Sequence, residues 1–170
     1  MSYESCHMEE ENRVEICRFR GRSLTIEELT KITLEDIFGW NKQHYGNTKF
    51  EDLAIIIAWF KQKFNLQAAA IMVGYNIQYG VAGINDRLMK INSKDLLSTT
   101  RICIKVGLIT KSDLANSLTA PLRGRRSTVS KASKVWAKKI CKSAITKAGT
   151  TEKAAKALGI GVAYIDYWLR

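Results

Sequence analysis

Proline occurs once in the 170 residues, at Pro121. Helix interiors exclude proline and loop-rich β proteins usually carry several, so its scarcity argues against a sandwich or barrel and for helices. Long apolar runs are missing as well. The longest, Leu53–Phe60, has eight residues, well short of the ~20 that span a bilayer. Met1–Glu15 is polar and acidic, without the apolar stretch of a secretory signal, so a cytoplasmic location and no membrane partner are expected. Catalytic signatures are missing too: there is no G-x-x-x-x-G-K-[ST], no H-E-x-x-H and no G-x-S-x-G. His7 and His44 have no convincing sequence partner, and the adjacent carboxylates Glu35-Asp36 and Glu51-Asp52 point apart on a helix and suit capping. No enzyme is expected. The four cysteines form no C-x-x-C pair, and Cys6, His7 and Cys17 match no common zinc spacing. Neither a metal nor a cofactor is expected, and the thiols read as reduced and packed or incidental.

Acids are nearly missing from one stretch, and that scarcity carries the functional reading. Residues 122–170 hold twelve Lys or Arg against Glu152 and Asp166, a local net charge of +10 within an overall +11. A solvated lysine-rich face would need interspersed acids as ion-pair partners. An excess of this size attracts polyanions, nucleic acid first and an anionic membrane surface second.

The remaining composition, 46% hydrophobic and 25% charged, is that of a folded protein with room for one moderate domain or two small ones. Residues 1–22 read as an acidic, flexible arm, with a weak strand signal in Val14, Ile16 and Phe19. Residues 23–120 read as a helical oligomerisation domain. Thr25 and Thr33 are expected helix caps, Gly74 a helix terminator, Ser93 a cap for Lys94–Thr100, and Ser112 or Asp113 the start of a helix through Leu118. Asn76–Met89 reads as helix with weak points at Gly80 and Gly83, and Arg101–Val106 fits either a strand or a helix end. Leu53–Phe60 is apolar all the way round, so it must be buried on every side. That points to a core helix that also serves a subunit interface, the alternative being burial wholly within one chain. Residues 121–130, with the proline and Arg123-Gly124-Arg125-Arg126, read as a basic linker and domain boundary.

Residues 131–170 follow the grammar of a helix-turn-helix. Ser130 caps Lys131–Ala148, where Trp136, Ile140 and Ala144 make an apolar face beside a stripe of Lys134, Lys138 and Lys142. Like charges four apart repel, which costs little if phosphates lie against them. Gly149 ends that helix. Thr150 or Thr151 caps Glu152–Leu158, Gly159 makes the turn, and Val162–Leu169 is the third helix. Ala155 permits close approach, and Ile160, Ile165 and Trp168 or Leu169 fill the space between.

On Lys153, Ala154, Ala155, Leu158, Gly159, Ile160 and Ile165 the segment resembles the C-terminal domain of Fis and of the enhancer-binding activators. The resemblance spans roughly Lys134–Arg170 and implies that Gly161, Val162, Tyr164, Tyr167 and Arg170 face the major groove of double-stranded DNA; Thr150, Thr151 and Lys153 are counted among the DNA-binding residues. Unlike that family, the last helix has only one cation, Arg170, and an acid, Asp166, which weakens the case for guanine readout. Tyr164 and Tyr167 suit either DNA contact or packing. Arg123, Arg125 and Arg126 suit a minor-groove arm or a linker that raises non-specific affinity. The run AAAIMVGYNIQYGVAGINDRLMKINSKDLLSTTRICIKV, within Leu53–Val106, is similar to FlhD, the smaller subunit of the flagellar master activator. That likeness implies a dimerising helical domain with a second regulator subunit, and Ala70-x-x-x-Gly74 permits a second, degenerate helix-turn-helix.

The sequence therefore predicts an all-α, cytoplasmic, oligomeric transcription regulator of bacterial, plasmid or phage genes. It would bind promoter DNA, recruit RNA polymerase and most simply activate. The alternatives are an architectural or recombination-accessory DNA binder and a protein-interaction adaptor with a basic tail.

Overall fold

The computed structural model describes residues 13–19, 22–43, 48–75, 77–122 and 129–170, with side chains from Thr25 onward except at 40–50 and 76–79. The acidic stretch before Arg13, with Cys6 and His7, and Arg123, Arg125 and Arg126 of the linker lie outside the described residues.

The class is all-α, with one small hairpin at the start of the described chain. Strands β1 (Arg13–Phe19) and β2 (Arg22–Thr25) pair antiparallel, Phe19 opposite Arg22 and Val14 opposite Leu24. The register is irregular between Val14 and Arg18. An irregularity of this kind spoils strict alternation, which is why Val14, Ile16 and Phe19 give only a weak strand signal. Of the expected arm, Arg13–Phe19 and Arg22 are strand residues, and the rest lies outside the described residues.

The helices are α1 (Ile26–Thr30), α2 (Leu34–Gln43), α3 (Thr48–Lys61), α4 (Leu66–Val73), α5 (Ile77–Lys90), α6 (Ser93–Val106), α7 (Lys111–Thr119), α8 (Lys131–Ala148), α9 (Thr151–Leu158) and α10 (Val162–Leu169). A 3-10 turn, Ala120–Leu122, follows α7. Local capping chemistry sets most starts. Thr25 Oγ1 accepts the Glu28 N–H at 3.1 Å while the Glu28 carboxylate accepts the Thr25 N–H, and Thr33 with Asp36 repeats the exchange.

Two expected starts move. Asn92 rather than Ser93 caps α6, its side chain accepting the Lys94 N–H at 2.9 Å. Thr110 caps α7 through a reciprocal pair with Asp113, so Asp113 lies inside the helix and Ser112 is not the cap. Arg101–Val106 is the end of α6. Within it Cys103 is fully buried and Ile102, Ile104 and Val106 are half-buried against the core.

Helix α3 is the hub, packing against β1, α2, α4, α5, α6 and α7. Every residue from Leu53 to Phe60 is fully buried within the single chain. Its all-apolar surface therefore requires no second subunit, and the expected interface role for this helix is replaced by intramolecular burial. Beyond its end, Lys63 and Phe64 take positive φ values of 55° and 67°. Such geometry costs an L-residue roughly 1–2 kcal/mol. It is held by stacking of Phe64 on Trp59, centroids 4.2 Å apart, and by the Phe64 N–H to the Trp59 carbonyl at 2.9 Å.

The Glu51-Asp52 pair does more than decorate the first turns of α3. Arg87 of α5 binds Asp52 at 2.6 Å and Glu51 at 3.5 Å, and Tyr75 donates its hydroxyl to Glu51. Burial pushes the Glu51 carboxyl up, Arg87 opposes that shift, and Asp52 adds to it. Gly80 is no weak point: a Cβ there would come within 2.9 Å of Ala70 Cβ, so the missing side chain lets α5 cross close over α4.

One buried cluster runs from Leu29 to Trp168. Three indole N–H groups join its two sequence halves. Trp59 donates to Ser133 Oγ at 2.9 Å, Trp136 to the Leu88 carbonyl at 2.7 Å, and Trp168 to the Leu118 carbonyl at 3.0 Å. Leu88 and Leu118 lie in the last turns of α5 and α7, where carbonyls have no partner inside their own helix. The C-terminal helices thus share one buried cluster with the body.

Candidate nucleic-acid interface

The chemistry of α8 follows from its two faces. Ser130 Oγ accepts the Ser133 N–H at 3.2 Å and starts the helix. Ala132, Trp136, Ala137, Ile140 and Cys141 turn inward and are buried, with Ala144 half-buried beside them. On the other side Lys134 and Lys142 are exposed and Lys138 is half-buried. Burial pushes the Cys103 and Cys141 thiols up to about 12, so both are packing groups rather than nucleophiles. Cys17 belongs to β1, and among the described residues no group of three or more His, Cys, Asp or Glu is placed to hold a metal.

Thr150 starts α9, accepting the Lys153 N–H at 3.2 Å, with Glu152 at the positive helix end. Ala154 and Ala155 are buried against α8. The turn closes with the Ile160 N–H on the Ala155 carbonyl at 3.0 Å and the Gly159 N–H on the Lys156 carbonyl at 3.2 Å, with Gly159 at φ 72°. Helix α10 then packs on α8 and α9, with Ile165 fully buried and Trp168 nearly so. Leu169 and Ile160 pack at the edge of the same core. The three expected helices are thus present, with the expected turn between the last two.

Lys134 and Lys138 of α8, Tyr167 of α10 and Arg170 just past its end come together around one cleft of about 400 Å³, floored by Val135 and Trp168. Tyr167 is 44% exposed and lies nearly perpendicular to the Trp168 ring, centroids 5.2 Å apart. Tyr164 is half-buried beside Gly161, closer to a packing residue. Gly161, Lys153 and Thr150 are exposed, and Val162 and Thr151 are half-buried; none of these, nor Lys142, lines the cleft.

Electrostatically the cationic face is unopposed. The ion pairs among the described residues, Lys61–Asp113, Arg87–Glu51 and Arg87–Asp52, all lie before residue 120. From Lys131 to Arg170 nine cations face two acids, and all nine are exposed or half-buried. Lys139 is the exception in use, since it sits 4.6 Å over the Trp136 ring and donates to Ser93 Oγ at 2.8 Å. Sequence spacing places Lys139 off the stripe but does not show this inward task. It also gives no sign that Val135 and Trp168 floor a cleft, because that requires knowing how α10 crosses α8.

No family model matches the chain, and no curated protein or solved structure matches it. Among the described residues no helix is long and apolar enough to cross a membrane.

Proposed function

We propose that the chain is a DNA-binding transcription regulator, in which α8–α10 form a Fis-like helix-turn-helix carried by a helical body. The observation that supports this most is the set of unpaired cations on α8 and at Arg170, just past α10, gathered with an exposed tyrosine around one cleft. Lys134, Lys138 and Arg170 take phosphates, Tyr167 takes a sugar or base face, and the exposed start of α10 meets the groove. The body, similar in pattern to FlhD, supplies association with a second copy or a second regulator subunit, which doubles the site length read. Promoter binding followed by contact with RNA polymerase makes activation the simplest outcome.

A second reading, an architectural binder of low sequence specificity, draws on the poverty of donors along α10, which carries the exposed Asp166 and no cation, Arg170 following its end. Binding of the full chain to a promoter library and to random duplexes separates the two. A regulator prefers its sites by ~10³ or more. A ratio near one supports the architectural reading, and no binding to either pool rejects both.

A further inference from the structure

A second cavity, of about 500 Å³, lies between α6 of the body and α8 and α9 of the helix-turn-helix. The space is a groove open to solvent on one side, with exposed Lys94, Arg101 and Lys147 along its lining. This space is of the size that encloses small ligands, roughly 300–1,000 Å³. Its walls are chiefly apolar, from Leu97 and Ile104 on α6, Ile140 on α8 and Leu158 on α9. Three cations, Lys94, Arg101 and Lys147, stand among the lining residues, and no carboxylate does. None of the three has an ion-pair partner among the described residues.

An apolar groove with exposed cations in its lining and no acid selects a molecule that is greasy at one end and anionic at the other. We infer that this cavity binds an aliphatic carboxylate, whose chain lies along Leu97, Ile104 and Ile140 and whose head meets Arg101 and Lys147. A chain of about eight to twelve carbons fills a space of this order. The bound molecule bridges α6 to α8 and α9, so it stabilises the contact between the cationic face and the body. The site stands on its own chemistry, whether or not the cleft on the other side of α8 takes DNA.

The probe is decanoate, titrated calorimetrically into the full chain below its micellar concentration, beside decanol and decylamine. Saturable one-to-one binding of decanoate is expected, with decanol about tenfold weaker, as removal of one effective charge interaction gives, and decylamine weaker still. Changing the exposed pair Arg101→Gln and Lys147→Gln leaves the fold intact and brings decanoate down to the affinity of decanol. Ala144→Phe fills the groove and abolishes binding of both. Equal affinity for decanoate and decanol, unchanged binding in the charge variant, or absence of saturable heat overturns the inference. Self-association that these variants abolish also overturns it, by assigning the face to a second copy.

Discussion

Replacing Trp168 by Phe tests whether the C-terminal helices and the body form one cooperative unit. Trp168 is 4% exposed and donates its indole N–H to the Leu118 carbonyl at 3.0 Å. Phenylalanine keeps an aromatic ring but removes that donor, leaving a buried carbonyl in the last turn of α7 without its partner. Loss of the bond costs about 1–3 kcal/mol, and the smaller ring adds roughly 1 kcal/mol for incomplete packing. The neighbouring Tyr167→Phe, at 44% exposure, is the control and is expected within about 0.5 kcal/mol of wild type. Urea unfolding is followed by far-ultraviolet circular dichroism and by emission of the remaining tryptophans. In W168F the two probes move together to a lower midpoint, because the perturbed side chain belongs to the shared core. An unchanged midpoint, or two separated transitions of which only one shifts, refutes the shared core.

Changing Lys134, Lys138 and Lys142 to Ala lowers DNA affinity across all sequences and flattens the log–log salt slope by about 0.9 for each phosphate no longer neutralised; an unaltered slope in filter-binding or anisotropy titrations rejects the phosphate stripe. Gly159→Ala destabilises by about 1 kcal/mol and Gly159→Val by more, since φ is 72° while the nearest neighbour, Ala115 Cβ, leaves room at 3.8 Å. Wild-type stability in G159V argues against the turn. For Asp113, burial alone favours protonation. The Lys61 ion pair at 2.7 Å and the hydrogen bonds with Thr110 outweigh it and hold the carboxyl below its ordinary range. Its contribution is therefore present above the unfolded carboxylate range and lost as pH falls below about 4, through the folded pKa. The stability gap between wild type and Asp113→Asn should shrink on acidification, and a gap constant with pH contradicts the assignment.

Local chemistry made much of this fold legible. Ser130, Thr150, Gly149 and Gly159 bound α8–α10 because caps and left-handed turns act over four residues or fewer. Asn92 and Thr110 escape a sequence reading because polar residues stand on both sides of each start, and backbone conformation decides between them. Pattern alone shows that Leu53–Phe60 must be buried, but not what buries it. The covering elements run from β1 to α7, and β1, α6 and α7 among them lie far away in sequence. The same distance hides the union of tail and body, since Trp136 and Trp168 reach back 48 and 50 residues to their acceptors. Of the expected interface, the lysine stripe is readable from spacing. Its convergence with Tyr167 and Arg170 depends on the crossing of α8 and α10, which no local signal carries.

The central claim is that a cationic face formed by α8 and by Arg170 just past α10, held on a helical body, lies along duplex DNA. Equilibrium binding of the full chain to a labelled duplex, followed from about 50 to 200 mM salt, addresses it directly. The account predicts tight association at the low end that weakens steeply and log-linearly as salt rises. Absence of binding at the lowest salt, or an affinity indifferent to salt, contradicts it.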